Sequence, residues 1–230
     1  MEEKKVTMYF VRHGETYLNK YKRMQGWSDA PLTEEGETVA GKTGVLLRDV
    51  RFDAVYTSDL GRTIRTAEAI MESNRYKDST PFIPTRLFRE SFFGYFEGAT
   101  QKESYATFAK AAELSPEEMF GSLTLLEFMQ VIKNADPYHE AENYSELWAR
   151  LWKGLEKVIE DSGEKEHAKV LICTHGNVIR NIFTRMDDQI SPAEEIRNAG
   201  VSILEYHNGN YKVKGFNLMS EIKDQEEEDV

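Results

Sequence analysis

A chain of 230 residues can bury one large hydrophobic core or two small ones. Its composition, 40% hydrophobic and 30% charged, is that of an ordinary globular protein. A formal net charge of −11 opposes encounter with nucleic acid or an anionic membrane surface, so any anion site must be a local basic pocket in an acidic body.

The opening Met-Glu-Glu-Lys-Lys leaves too few residues before Arg12 for the apolar core of a signal peptide. No window approaches the ~20 apolar residues of a membrane span, and the cytoplasm is the expected compartment. Residues 6–11, Val-Thr-Met-Tyr-Phe-Val, read as a first strand ending in Arg12-His13-Gly14-Glu15. Thr33 is placed to cap a helix running to about Asp49, with Glu34, Glu35 and Glu37 near its positive end. A second strand over residues 52–56 leads through Thr57-Ser58-Asp59 into a helix over about 60–73, with Ser58 or Asp59 as the expected cap. From 100 to 143 the pattern is helical but broken. Ser115-Pro-Glu-Glu118 is a capping box with proline at the first helical position, and Thr124-Leu-Leu-Glu127 resembles another. With no strand evident, this stretch reads as a helical insertion over one edge of a sheet, not as an independent domain. Residues 145–161 are the clearest helix, because Leu147, Trp148, Leu151, Trp152, Leu155, Val158 and Ile159 form one stripe. The tryptophans on that stripe read as core.

Residues 170–173 form another apolar run containing Cys173, the one cysteine; no intramolecular disulfide is possible, and the residue reads as a buried strand thiol. Finally, residues 201–207 and 211–217 flank Asn208-Gly209, a strong hairpin signal. Alternating strands and helices predict an α/β fold of three layers: a mainly parallel central sheet flanked by helices, a helical insertion over the active site and a C-terminal β-hairpin. One domain is expected over residues 1–223, followed by a disordered acidic tail at 224–230.

The chemistry gathers where strands end, the edge at which open α/β sheets bind ligands. A histidine beside an arginine at a strand mouth can be a nucleophile, with the guanidinium holding the anion it attacks. Cys173-Thr174-His175-Gly176 repeats the pattern of strand, histidine and glycine. Arg62 falls in the first turn of a helix, where the dipole disfavours a cation and an anionic ligand would rationalise it. Zinc is a competing reading of two histidines, but there is no His-Glu-x-x-His helix and no cysteine cluster. Glu90 lies among phenylalanines and a tyrosine in Leu87-Phe-Arg-Glu-Ser-Phe-Phe-Gly-Tyr-Phe-Glu97-Gly98. An apolar frame raises a carboxyl pKa, as a general acid requires; the alternative is a loop glutamate paired to Arg89.

Taken in order, Arg12-His13-Gly14-Glu15-Thr16 with Asn19, Gln25-Gly26 through Gly36, Ser58-Asp-Leu-Gly-Arg62 with Thr66-Ala67-Glu68, the Glu90–Glu97 loop and Thr174-His175-Gly176 resemble the histidine phosphatase, or phosphoglycerate-mutase-like, superfamily. The resemblance runs from about residue 6 to residue 180. It implies that His13 becomes a phosphohistidine and that Arg12, Arg62 and His175 bind phosphoryl oxygens. Asn19 would assist, Gln25, Gly26 and Gly176 would line the pocket, and Glu90 would protonate the leaving oxygen and then activate water. No metal is required: phosphoryl transfer asks mainly for positioning and for positive charge around the equatorial oxygens. Two guanidiniums near His13 should keep it neutral and nucleophilic.

The superfamily holds both phosphatases and mutases. A mutase must retain a highly charged bisphosphate, 2,3-bisphosphoglycerate, and calls for a basic cluster over the pocket. Residues 100–143 carry only Lys102, Lys110 and Lys133 as cations, beside Phe108, Met119, Phe120, Phe128 and Met129. Lys20, Lys22 and Arg23 weigh the other way, as a candidate second anion site. The favoured expectation is a phosphatase acting on a small phosphomonoester, with no nucleic-acid or membrane partner and no cofactor. A mutase-type isomerase is the alternative. A protein phosphatase remains open, and a non-catalytic phospho-ligand module is disfavoured because His13 and Glu90 are both present. The sequence carries no signal for oligomeric state.

Overall fold

The computed structural model describes residues 4–219; the acidic segment 224–230, read above as a tail, lies outside them. Six strands form one mixed sheet: β1 (Lys5–Arg12), β2 (Ala54–Ser58), β3 (Phe82–Thr85), β4 (His167–Thr174), β5 (Val201–His207) and β6 (Asn210–Leu218). Their order across the sheet is β3-β2-β4-β1-β5-β6. The first four strands are mutually parallel, and β5 and β6 are antiparallel additions. At the hairpin tip Asn208 and Gly209 both take positive φ, 46° and 92°, as a tight turn that follows the strand twist demands.

The sheet separates two cores by the alternation of its side chains. Val6, Met8 and Phe10 of β1 face a cluster with α7 (Tyr144–Asp161) and α8 (Gly176–Met186). Tyr9 and Val11 face the opposite cluster with α2 (Glu34–Leu46) and α3 (Gly61–Glu72). Burial on both faces is why β1 reads as a continuous apolar run. On the α7 stripe, Leu147, Trp148, Leu151, Leu155 and Val158 are buried, and Trp152 and Ile159 pack partly buried against the same core. Cys173 is a buried free thiol whose pKa is pushed up by burial.

Between β3 and α7 lie α4 (Gln101–Ala111), α5 (Pro116–Ser122) and α6 (Leu125–Ala135). Both expected capping boxes form, Ser115 with Glu118 and Thr124 with Glu127. Phe108, Met119 and Ile132 of these helices meet Phe93 and Phe96 in a third, smaller cluster.

β3, α8 and the four-residue helix α1 (Tyr17–Lys20) are absent from the sequence-based reading. β3 is four residues long, lies at the sheet edge and contains Pro84, so it carries little strand signal. α8 follows His175 without a side-chain cap, the feature that otherwise marks a helix start. The expected cap of α3 is also corrected. Its N-cap is Leu60, with no side-chain bond of its own. Asp29 Oδ2 accepts from the Gly61 N–H at 2.6 Å instead, a cap supplied from a distant loop. Ser58 and Asp59 are committed elsewhere, to Thr63 with His175 and to Arg89 respectively.

Candidate active site

The carboxyl ends of β1, β2 and β4 bring Arg12, Ser58 and His175 to one edge of the sheet, with the loop after β3 beside them. The His13 N–H donates to the Thr174 carbonyl at 2.9 Å, which locks the first motif against the last. Asn198 Nδ2 donates to the His13 carbonyl at 2.8 Å, and the Gly14 N–H to Thr66 Oγ1 at 2.9 Å. Gly14 has no room for a side chain: a Cβ there would lie 2.5 Å from the Gly36 carbonyl oxygen, where α2 starts.

The tautomer of His13 follows from its partner. Nδ1 sits 2.8 Å from the Gly14 carbonyl oxygen, which only accepts, so Nδ1 carries the proton and the Nε2 lone pair is left free. Burial holds the His13 pKa well below its ordinary value, and Arg62 and Arg12 add to the effect. This buried histidine is therefore neutral and nucleophilic in geometry as well as in charge.

Arg62 is 1% exposed. Its Nη1 donates to the Ser28 carbonyl at 2.9 Å and to Asp29 Oδ1 at 3.0 Å, and Nη2 donates to the Gly26 carbonyl at 2.6 Å. Nη2 also donates to His175 Nδ1 at 2.9 Å. Arg12 Nη1 donates to the Ile196 carbonyl. A Cβ on Gly176 would fall 3.4 Å from Arg12 Nε, so the start of α8 lies against this guanidinium. Arg12 and Arg62 each retain a buried Nε–H with no partner in the protein. Two unmet buried donors, each costing about 1–3 kcal/mol, are what the oxygens of a bound anion would satisfy.

His175 has both ring nitrogens engaged. Nδ1 accepts from Arg62, so Nε2 carries the proton and donates to Ser58 Oγ at 2.8 Å, which in turn lies 2.8 Å from Thr63 Oγ1. Burial, followed by Arg62, holds its pKa well below the ordinary value. In this arrangement both ring nitrogens of His175 are bonded to protein groups, Arg62 and Ser58, whereas the family resemblance implies direct contact with a phosphoryl oxygen.

Glu90 is 7% exposed. Its carboxyl accepts from the N–H groups of Ser91 at 2.9 Å and Asn177 at 3.1 Å. Burial raises its pKa; these two N–H groups and the charges of Arg62 and Arg12 oppose that effect without cancelling it. Arg89 is not its partner, because it forms a two-pronged pair with Asp59 at 2.5 and 2.7 Å. The Glu90 carbonyl is gripped by Trp27 Nε1 at 2.9 Å and by Arg150 Nη2 at 2.8 Å. Arg150 also donates to the Leu87 and Arg89 carbonyls and pairs with Glu142. Glu97 does the same service for the neighbouring loop, accepting from the N–H groups of Gly26, Trp27, Ser28 and Phe93.

Other expected site residues are placed as follows. Gln25 is buried, its Oε1 accepting from Thr16 Oγ1 at 2.6 Å, and its Nε2 has no partner. Asn19 Oδ1 accepts from the Thr16 N–H at 3.2 Å as part of a capping box on the short helix α1 (Tyr17–Lys20). Lys20 and Lys22 are exposed, and Arg23 donates to the Gly98 carbonyl at 2.7 Å. None of these three cations lines the cavity that opens beside Glu90. That cavity, of about 630 Å³, lies between the helical insertion and α8 and includes Ser91, Phe93, Tyr105, Phe128, Asn177 and Arg180. Arg150, Asn177, Arg180 and Asn198 carry no local signal in the sequence, since each acquires its partners only through tertiary contact.

The family model for the histidine phosphatase superfamily (branch 1) matches residues 8–219. The chain belongs to this superfamily. The uncharacterized phosphatase PhoE of Bacillus subtilis is 30% identical over 92% of this chain and 94% of its own length. The fructose-2,6-bisphosphatase TIGAR of Xenopus tropicalis is 34% identical over 74% of this chain and 71% of its own. The crystal structure of phosphoglycerate mutase from Bacillus anthracis str. Sterne superposes with a TM-score of 0.90 at 32% identity, covering 95% of this chain and 96% of that one. The superfamily member described here thus stands among phosphoryl-transfer enzymes of both phosphatase and mutase type. Among the described residues no helix is long and apolar enough to cross a membrane.

Proposed function

We propose that this enzyme is a phosphatase that hydrolyses a small phosphomonoester through a phosphohistidine at His13, with neither a metal ion nor an organic cofactor taking part. The observation that carries the reading is His13 itself, neutral and with Nε2 free. The charges of buried Arg62 and half-buried Arg12 act on it, and the same two charges act on the Glu90 carboxyl with its raised pKa. In the first step Nε2 attacks phosphorus as the bond to the leaving oxygen breaks. Glu90 gives that oxygen its proton, while Arg12 and Arg62 hold the equatorial oxygens. In the second, the Glu90 carboxylate takes a proton from water as the water oxygen attacks phosphorus. The P–N bond breaks, inorganic phosphate departs and the His13 lone pair is restored. His175, Asn19, Gln25, Gly26 and Gly176 frame the phosphoryl pocket.

Hydrolysis is favoured over mutase chemistry by the charge around the pocket. Lys102 and Lys110 of the insertion are exposed, and Lys133 is paired with Glu146 at 2.8 Å. None lines the cavity, which leaves no cluster of cations to retain a bisphosphate. The expected result is hydrolysis of an aryl phosphate in the presence of EDTA, abolished by His13→Ala. A requirement for added divalent metal would overturn the mechanism. Rapid conversion of 3-phosphoglycerate to 2-phosphoglycerate in the presence of 2,3-bisphosphoglycerate would overturn the choice of hydrolysis.

A further inference from the structure

The cavity beside Glu90 is lined by one cation, Arg180, which among the described residues forms no direct ion pair. Arg180 lies on α8, one turn after Asn177. Its Nη1 donates to Asn177 Oδ1 at 2.6 Å and its Nη2 to the Glu194 carbonyl at 3.2 Å, while Nε is buried without a partner. Burial lowers its pKa, and the charges of Glu90 and Glu195 oppose that effect from beyond ion-pair distance without cancelling it. Ser91 Oγ, on the same cavity wall, is likewise buried and unpartnered, and Tyr105 is near enough for its charge and that of Arg180 to interact. Phe93, Met119, Phe128 and Met129 make much of the remaining wall apolar.

A guanidinium taken out of water is stable only when its remaining donors and its charge are met, and low surrounding polarity strengthens its pull on an anion. Here the protein supplies two neutral acceptors for five N–H donors, leaves Nε buried without a partner and puts no carboxylate in direct contact with the charge. A volume of about 630 Å³ exceeds what a three-carbon skeleton fills and lies within the range of sites for drug-sized ligands. Asn177 links the two regions, since its N–H holds Glu90 and its side chain holds Arg180. A substrate whose ester oxygen faces Glu90 therefore places its organic part among the apolar side chains, within reach of Arg180.

We propose that the preferred substrate is the phosphomonoester of an aromatic-sized, largely apolar hydroxy acid, whose carboxylate is received by Arg180 and whose body fills the apolar cavity. One open guanidinium matches a singly charged carboxylate better than a second phosphate, which carries about twice the charge at neutral pH. The assignment rests on the phosphatase reading of the same site.

The test compares 3-(4-hydroxyphenyl)propanoate phosphate with 4-ethylphenyl phosphate, two aryl esters of similar leaving-group basicity that differ in the carboxylate. Wild type is expected to favour the acid by roughly tenfold or more in kcat/KM, the effect of one charge-assisted hydrogen bond. Arg180→Met should bring the ratio to near one, and Arg180→Lys should retain part of it. A ratio near one in wild type, or one that survives Arg180→Met in a variant that melts cooperatively, overturns the proposal. So does tighter binding of an aryl bisphosphate than of the carboxylated ester. Should neither ester be hydrolysed, the phosphatase reading fails. The carboxylate assignment is then read from calorimetric binding of the two corresponding aryl methylphosphonates, with the same expected ratio and the same refuting result.

Discussion

Replacing Glu90 by glutamine separates the proton donor from the rest of the site. The carboxyl accepts two backbone N–H groups, at 2.9 and 3.1 Å, and is nearly sealed from solvent. A glutamine keeps one acceptor oxygen and turns an NH2 group toward the other N–H, leaving a buried donor unmet at a cost of about 1–3 kcal/mol in stability. Chemistry should suffer more selectively. A positioned general acid contributes about 10²–10⁴-fold when the leaving oxygen is a poor one, and little when it departs as a stable anion. The assay is kcat/KM for an alkyl phosphate and for 4-nitrophenyl phosphate, in wild type and Glu90→Gln. The expected loss is about a hundredfold or more for the alkyl ester and a few-fold for the nitrophenyl ester. Partial unfolding lowers both by one factor and so leaves their ratio unchanged. The pH profile adds a sign. Glu90 must be protonated to act, so wild-type activity on the alkyl ester falls as pH rises through its raised pKa, and this limb disappears in the variant. The substrate's own ionisation is common to both enzymes and cancels in their ratio. Equal fractional losses on the two esters would remove Glu90 from the role of acid.

Two further outcomes follow from buried groups elsewhere in the site. His13 and His175 stay neutral well below the 6.5 at which an unfolded histidine takes up its proton. Their contribution is full above that value and is lost as pH falls toward their folded pKa values, at up to about 1.4 kcal/mol per pH unit for each. Glu90, with a raised folded pKa, works in the opposite sense, its contribution falling as pH rises toward that pKa. Urea unfolding between about pH 7 and pH 5.5 should show a shallower slope for His175→Asn than for wild type, and identical slopes would contradict the neutral burial of this histidine. Arg150→Met would leave Glu142 unpaired at 10% side-chain exposure and free three carbonyls of the acid-bearing loop. About 3–5 kcal/mol of stability should be lost, with a larger fall in turnover of the alkyl ester than of the nitrophenyl ester. A stable variant with both activities intact would show that the loop holds Glu90 in place without Arg150.

Local sequence was a good guide wherever an interaction spans only a few residues. Thr33, Ser115 and Thr124 cap the helices expected of them, because a cap is an interaction over three residues. It misled at Ser58 and Asp59, where plausible caps are drawn off by His175 and Arg89 and a loop residue, Asp29, takes the position. It was silent on β3, whose pairing is decided by a neighbour already in the sheet. The pairing of Glu90 with Arg89, a natural reading of adjacent opposite charges, fails because Asp59 lies in the geometry that a guanidinium fork prefers.

By itself the sequence determined the family, the alternation that makes a mainly parallel sheet, and the identity of Arg12, His13, Arg62, Glu90 and His175 as the residues gathered at one edge. These are set by what stands at each strand end and by the rule that parallel strands present those ends together. Only the tertiary structure decided how the residues are wired. The engagement of both His175 nitrogens, the grip of Arg150 on the acid loop and the link from Asn177 to both Glu90 and Arg180 all depend on partners brought in from other elements or other turns. Burial then turns those contacts into shifted pKa values. Neither distance nor desolvation is written in a local run of residues, and both act at the point where the phosphoryl group is held.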